Sequence, residues 1–379
     1  MTRGARSAFR TLAPERFARI VRRLRRAGDA YGASPARVAI RAAGLRRRGW
    51  RLGEAMTLGL LDSRAELASF DWAIRSAELE ALQEALNPAG AADRAEDKRN
   101  LPRVCARHDL PCAVQIAVLE RQDDAAATRA AWAAALVQAP ARSVVVKPFD
   151  GHRGLGVRLL TLGPEGATDH RGRTVALPEL ADELAAERWG GYVVQERLRP
   201  HPELVRMSGH EIVQTLRLVT LRDDGAPPRL LAAAFRVADG STPVDSFRTG
   251  ATGNLSARVG TDGTLAEPLA LRSSGYGLER IGRHPLSGAP LEGFRVPGWP
   301  EACALARRAA EAFAPLRAMG WDIAPTPDGP VLVEANAWWT FPSEPGGGPE
   351  PMVAALRAAV AALPPAARRS QRRRSKRES

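Results

Sequence analysis

The run Val144-Val145-Val146-Lys147-Pro148-Phe149-Asp150-Gly151-His152-Arg153-Gly154-Leu155-Gly156-Val157 constrains the fold of this chain more than any other segment. A β-branched strand, expected over Ser143–Lys147, delivers a lysine. Glycines at 151, 154 and 156 then open a flexible turn before a second strand, expected over Gly156–Leu162. Glycine tolerates positive φ and close backbone approach, so successive N–H groups can cradle phosphate oxygens. Lys147 then supplies a point charge for an α- or β-phosphate. The order does not fit a Walker A loop, where the lysine follows the glycines, precedes Ser or Thr and opens a helix. Taken alone, the segment also reads as an ordinary hairpin.

Lysine usage weighs toward the phosphate reading. Of the 55 basic side chains, 52 are arginine, and Lys98, Lys147 and Lys376 are the only lysines. A chain that uses arginine nearly everywhere keeps a lysine inside its folded body where a compact ammonium on a flexible stem is needed. Lys376 belongs to a basic tail and needs no such reason.

The net charge of +13 is concentrated at the ends. Residues 1–51 carry fifteen arginines against Glu15 and Asp29, and residues 368–379 carry six arginines and Lys376 against Glu378. The intervening 316 residues sum to −6, so the body is not a basic platform for nucleic acid. No apolar stretch approaches the roughly 20 residues that span a bilayer, and the start lacks the apolar core of a signal peptide. A cytoplasmic protein is expected. Cys105, Cys112 and Cys303 have no metal-ligand spacing and read as ordinary thiols.

Residues ~14–26 place Phe17, Ile20, Val21 and Leu24 on one helical face and arginines on the other. This is either a packing helix with a solvated cationic side, or an interfacial helix drawn to anionic lipid at the inner membrane face. Helical composition continues over residues ~54–95. From ~96 the texture is mixed. A helix is expected at Leu177–Arg188, strands at Tyr192–Leu198, Gln214–Leu221 and Leu230–Val237, and an Ala-rich helix at 301–318. A hairpin of Trp321–Ala324 and Val331–Ala335 is expected around Asp328-Gly329. The stretch after Pro364-Pro365 reads as a disordered basic tail.

Glu334 and Asn336, two apart on a strand, share a face, and the hairpin returns Asp322 to their neighbourhood. Two carboxylates and an amide oxygen are hard ligands suited to Mg²⁺ held jointly with phosphates. Thr215 and Arg217 share a face of another strand by the same alternation. No histidine or cysteine dyad suggests nucleophilic catalysis.

The order of these motifs resembles the ATP-grasp superfamily over residues ~96–345. More narrowly it is similar to the sugar-transfer-associated ATP-grasp family and the α-L-glutamate ligase-like proteins. The resemblance implies an α/β (α+β) fold in which two α/β lobes clasp ATP. Here they would follow an α-helical N-terminal region at 1–95, with lobes at 96–198 and 199–362 and the tail at 363–379. Glu96-Asp97-Lys98 with His108-Asp109-Leu110-Pro111 resembles the family's opening "DK…L…GIP" segment, which makes Lys98 a phosphate contact. Lys147, Gly151, Gly154 and Gly156 form the phosphate loop. Gln195, Glu196 and Leu198 occupy the adenine-reading positions, and Glu203 is the ribose candidate. Gln214-Thr215-Leu216-Arg217-Leu218-Val219-Thr220 resembles "NTIRVVT", which makes Arg217 the candidate for stabilising charge on the transferring phosphoryl group, with Arg236 as companion. Residues 243–254 resemble a "VDNF…GG" loop, departing from it at Ser246 and Ala251. Asp322, Glu334 and Asn336 match the metal positions very well, and the aromatic stretch Ala337-Trp338-Trp339-Thr340 is expected to help line the acceptor site.

The resemblance implies ATP- and Mg²⁺-dependent carboxylate–amine ligation through an acylphosphate. The substrates would be a small-molecule, saccharide or peptide carboxylate and an amine acceptor, with cell-surface tailoring as the context. The alternatives are direct phosphotransfer to an acceptor and a non-catalytic ATP-binding module.

Overall fold

Apolar alternation and short turns build two antiparallel sheets, the frame of most of the described residues from Trp72 onward. The computed structural model describes residues 14–64, 74–139, 142–151, 154–164, 166–247, 250–341 and 350–364. His152, Arg153, the Gly346–Gly348 run and the tail expected to be disordered lie outside them. The chain divides into two units, Met1–Asp71 with Arg272–Leu278, and Trp72–Leu271 with Glu279–Ser379.

The first unit contains α1 (Pro14–Tyr31), α2 (Pro35–Arg47) and α3 (Leu52–Thr57). Ser34 caps α2, accepting from the Arg37 amide, and Pro35 starts the helix where its missing N–H costs nothing. Ala27, Tyr31, Val38, Leu45, Leu60, Leu61 and Tyr276 form its core, and Leu24 packs against them. Of the apolar face expected on α1, Leu24 is thus spent on this core, Ile20 and Val21 are half-buried, and the Phe17 side chain lies outside the described residues. Arg19, Arg22, Arg23, Arg25 and Arg26 stay exposed.

The second unit opens with α4 (Ser76–Leu86), α5 (Ala89–Glu96) and α6 (Leu101–Arg107). Its first sheet contains β1 (Gln115–Glu120), β2 (Ser143–Pro148), β3 (Arg158–Gly163), β4 (Gly166–Asp169), β5 (Thr174–Val175) and β6 (Gly191–Glu196), in spatial order β1-β6-β2-β3-β4-β5. Helices α7 (Ala125–Gln138) and α8 (Leu177–Ala186) share its core through Trp132, Leu136, Leu180 and Leu184. Helix α9 (Pro202–Ser208) then leads to the second sheet.

That sheet contains β7 (Leu216–Leu221), β8 (Arg229–Val237), β9 (Leu255–Val259), β10 (Leu265–Leu271), β11 (Leu278–Arg280), β12 (Ala318–Thr326) and β13 (Gly329–Asn336), in the order β11-β10-β9-β8-β7-β12-β13. Helix α10 (Trp299–Ala312) covers one face, where Ala302, Ala306 and Ala309 allow close approach to Leu216, Leu218, Trp321 and Ile323. On the other face, α4 and α11 (Glu350–Ala362) bring Leu79, Leu86, Val353 and Leu356 against Val219, Leu221 and Ala318. Covered on both sides, β12 is buried along its whole length.

The elements that position the site match the sequence pattern closely, with boundaries shifted by a few residues. Strand β6 ends at Glu196 rather than Leu198, and α10 ends at Ala312, six residues early. The β12–β13 hairpin closes with Thr326 opposite Gly329.

Candidate functional site

A row of three residues crosses the second sheet. Arg217 on β7 lies opposite Asp322 on β12, and Asp322 lies opposite Glu334 on β13. Strand alternation turns Asp322 away from Trp321 and Ile323, which are in the α10 core. Arg217 grips Asp322 with two contacts, Nε to Oδ1 at 2.6 Å and Nη2 to Oδ2 at 3.2 Å. Arg236 on β8 adds Nη1 to Oδ2 at 2.8 Å. Both oxygens of Asp322 therefore already accept from guanidinium groups.

The two arginines differ in access. The Arg217 side chain is 7% exposed, whereas that of Arg236 is 20% exposed. Burial, with the like charge of Arg236, pushes the Arg217 guanidinium pKa down from its ordinary value. Burial pushes Asp245 up, against the pull of Arg236, while its Oδ2 accepts from the Thr215 amide at 2.8 Å and hydroxyl at 2.5 Å.

Past Asp322 the β12–β13 register slips. Asp322 pairs with Glu334 but Ile323 pairs with Leu332, so Val333 is an extra residue in β13. A bulge leaves its extra residue outside the ladder and re-aims what surrounds it. The freed Val333 carbonyl accepts from Lys147 Nζ at 3.4 Å. Lys147 comes from β2 of the other sheet, so the bulge is where the two sheets meet over a charged crevice.

Lys98 completes that crevice. It follows α5 and forms an ion pair with Glu334 Oε1 at 2.9 Å while donating to the Gly151 carbonyl at 2.6 Å. One ammonium thus ties the glycine loop to the Glu334 strand. Gln195, buried on β6, lines the same crevice with Lys98, Lys147 and Glu334. Burial pulls the Lys147 ammonium down to about 8, the nearby Glu334 charge offsetting only part of this. For Glu334, burial favours the neutral acid, but Lys98 and Lys147 outweigh it and hold the carboxyl at about 2.

The loop needs its glycines for two reasons. Gly154 and Gly156 have φ of +70° and +74°. A Cβ on Gly156 would also lie 2.7 Å from both Pro148 Cγ and Trp189 Nε1. Asn336 sits at the end of β13, its Nδ2 donating to the Gly320 carbonyl at 3.4 Å, which leaves its oxygen for another partner.

The adenine and ribose candidates lie along the exit from β6. The Glu196 and Arg197 amides are bonded to the Val114 and Ser143 carbonyls, so Leu198 is the first residue past those sheet bonds. The Glu196 side chain points to Arg142 at 3.2 Å. Glu203 is exposed in the first turn of α9, with its amide bonded to His201 Nδ1 at 3.3 Å. Neither Glu196 nor Glu203 contacts the lysine crevice through a bond in the described residues.

Two residues enter that the motif positions did not single out. Glu96 Oε1 accepts from the Ala337 and Trp338 amides at 2.6 and 2.9 Å, pinning the end of β13 beside Lys98. Asp245 is the other. Both lie inside segments already notable in sequence, but their contacts span 241 and 30 residues and have no local signature.

Lys98, Lys147, Arg217 and Arg236 gather here with Glu96, Asp245, Asp322 and Glu334, and phosphate oxygens are natural partners for the ammonium groups at the crevice. Glu334 and Asn336 offer the hard oxygens that Mg²⁺ takes when phosphates and water complete its shell, so the residues present fit a metal-bound polyphosphate.

Among solved structures, the chain is similar to the ATP-grasp ligase PsnB complexed with minimal precursor. The identity is 17%, the TM-score 0.37, and the match covers 72% of this chain and 64% of that one. It is also similar to the D-alanine-D-alanine ligase from Coxiella burnetii, at 11% identity, TM-score 0.41, and 77% and 63% coverage. For the D-alanyl-alanine synthetase A from Vibrio cholerae O1 biovar eltor str. N16961 the values are 12%, 0.40, 73% and 68%. The chain thus spans slightly less than two thirds of the first two. No curated protein matches. The sugar-transfer associated ATP-grasp family matches residues 78–343, which take in both sheets and all of the charged row, and the chain belongs to that family.

Proposed function

We propose that this chain is an ATP- and Mg²⁺-dependent ligase that joins a carboxylate to an amine through an acylphosphate. The observation that carries this reading is the meeting of Lys98 and Lys147 at Glu334, with Lys98 also bound to the glycine loop. Lys98 and Lys147 bind the phosphates, and the loop amides around Gly151, Gly154 and Gly156 orient them. Gln195, Glu196 and Leu198 hold the adenine edge and Glu203 the ribose.

Mg²⁺, held by Glu334 and Asn336, would neutralise phosphate charge. In this reading Asp322 is an anchor rather than a ligand, because both of its oxygens are engaged by Arg217 and Arg236. Arg236, with its exposed edge, meets the charge on the transferring phosphoryl group, and Arg217 holds Asp322 in place. The substrate carboxylate oxygen attacks the γ-phosphorus and ADP leaves. The amine then attacks the acyl carbon, phosphate departs, and the amine loses a proton. Positioning and charge neutralisation supply most of the rate. The name of the family alone supports a sugar-linked context for the substrate.

Incubating the protein with ATP, Mg²⁺ and candidate acceptor pairs tests this by mass spectrometry. A ligase gives phosphate and an adduct lighter than its parts by one water. A phosphorylated acceptor as the end product would instead make the protein a phosphotransferase, and nucleotide binding with no product would make it a binding module.

A further inference from the structure

The first unit carries a cationic surface that the ATP site does not use. Residues 14–64 contain thirteen arginines against Glu15, Asp29, Glu54 and Asp62. On α2 and its C-cap, Arg37, Arg41, Gly44 and Arg48 recur at helical spacing and share one face with Ile40. They line a groove of about 370 Å³ together with Ile40, Leu45 and Ser63. Ile40 is 74% exposed, the most exposed large apolar side chain among the described residues. Arg41 donates to the Leu60 carbonyl at 2.5 Å, which fixes it at the groove wall, where burial pulls its pKa down, Asp62 partly offsets this and the Arg48 charge adds to it. A Cβ on Gly44 would meet nothing within 4 Å, so the groove is open at that position.

We propose that this groove is a docking site for the anionic headgroups of a phospholipid bilayer, with Ile40 entering the interface beside them. Charge complementarity selects an anionic partner, and the exposed isoleucine between arginines selects a lipid surface. A single-stranded nucleic acid would be served by an aromatic stacking platform, and none of the lining residues is aromatic; duplex DNA is an outcome of the test. The contact differs from the one expected of α1, whose apolar face is partly spent on the core of the unit.

The test is flotation of the full chain with vesicles of phosphatidylcholine, alone or mixed with phosphatidylglycerol, beside a gel-shift assay with duplex DNA. The chain floats with the mixed vesicles and not with phosphatidylcholine alone. Arg37→Glu combined with Arg48→Glu weakens binding at least about tenfold, since each basic residue near an anionic surface contributes a sizeable share. Ile40→Ser weakens it severalfold. Gly44→Glu places a carboxylate between Arg41 and Arg48 and improves helix propensity, so it lowers binding about tenfold without lowering the melting temperature. That variant separates loss of the site from loss of the fold. The proposal is overturned if the chain fails to float, if it binds duplex DNA in place of vesicles, or if all variants float like the parent. The last result would assign binding to the arginine-rich ends.

Discussion

Asp322 and Glu334 are direct cross-strand partners on β12 and β13, yet each is neutralised by a different kind of cation. Asp322 takes two arginines from its own sheet, whereas Glu334 takes Lys98 and lies close to Lys147 of the other sheet. The planar guanidinium of Arg217 grips Asp322 with two bonds and that of Arg236 adds one, whereas the flexible ammoniums stand at the crevice. The pair marks the boundary between the scaffold and the part of the site that exchanges partners.

Asp322→Asn tests the scaffold side. It leaves the buried Arg217 guanidinium, and the half-buried Arg236 beside it, without the Asp322 charge, and uncovering a buried partner typically costs about 3–5 kcal/mol. Urea denaturation is expected to show a drop of that order. A loss under about 1 kcal/mol would mean the arginines find another partner.

Arg217→Ala and Arg236→Ala are expected to separate. Removing Arg217 uncovers Asp322 in the interior and lowers stability. Removing Arg236 takes away the more exposed guanidinium, leaving Mg-ATP affinity within a few-fold but slowing turnover by about 10²-fold. Steady-state kinetics with thermal melts read both effects.

Lys147 makes nucleotide binding proton-linked. Its ammonium is held down at about 8, below its ordinary value, chiefly by burial. Phosphate oxygens stabilise the charged form and raise that value, so binding takes up a proton near pH 8. Affinity therefore falls as pH rises from 7 to 9. Titration calorimetry at pH 8 in buffers of different ionisation enthalpy is expected to report uptake of a substantial fraction of one proton; binding with no proton uptake would contradict this role for Lys147.

Glu334 links folding to acid pH in the opposite sense. Its carboxyl is held at about 2, below the usual 4.5, so its ion pairs are fully in place above pH 4.5. Their contribution to stability is lost as pH falls from there toward 2. Melting temperatures of the parent and Glu334→Gln are expected to converge over that range.

Gly156→Ala is expected to destabilise the loop by about 1–3 kcal/mol, because it forces a side chain into positive φ and against Trp189. Mg-ATP affinity falls with it, whereas Gly163→Ala, which meets open space, changes neither.

Much of the site was legible in the sequence because its parts are local. The strand–glycine–strand run around Lys147 and the β12–β13 hairpin declare themselves by alternation and turn residues. The bulge at Val333 does not, since a one-residue slip against β12 is a property of the pairing and not of either strand. The β9–β10 pair escaped for a related reason. Glu267 has φ +51° and the register shifts between Ala266 and Leu269, which breaks the period-two pattern around Pro268. Helix α11 packing on α4, and Glu96 reaching Ala337, are contacts across most of the chain that no window of sequence contains.

The central claim is that Lys147 and Lys98 converge with the Glu334 strand around one magnesium-bound triphosphate. Calorimetric titration of Mg-ATP into the parent and into Lys147→Met is its most direct test, with circular dichroism to confirm that the variant is folded. The account predicts saturable binding by the parent and a loss of at least about a hundredfold in the folded variant. Equal affinities in the two proteins, or no binding by the parent, would contradict it.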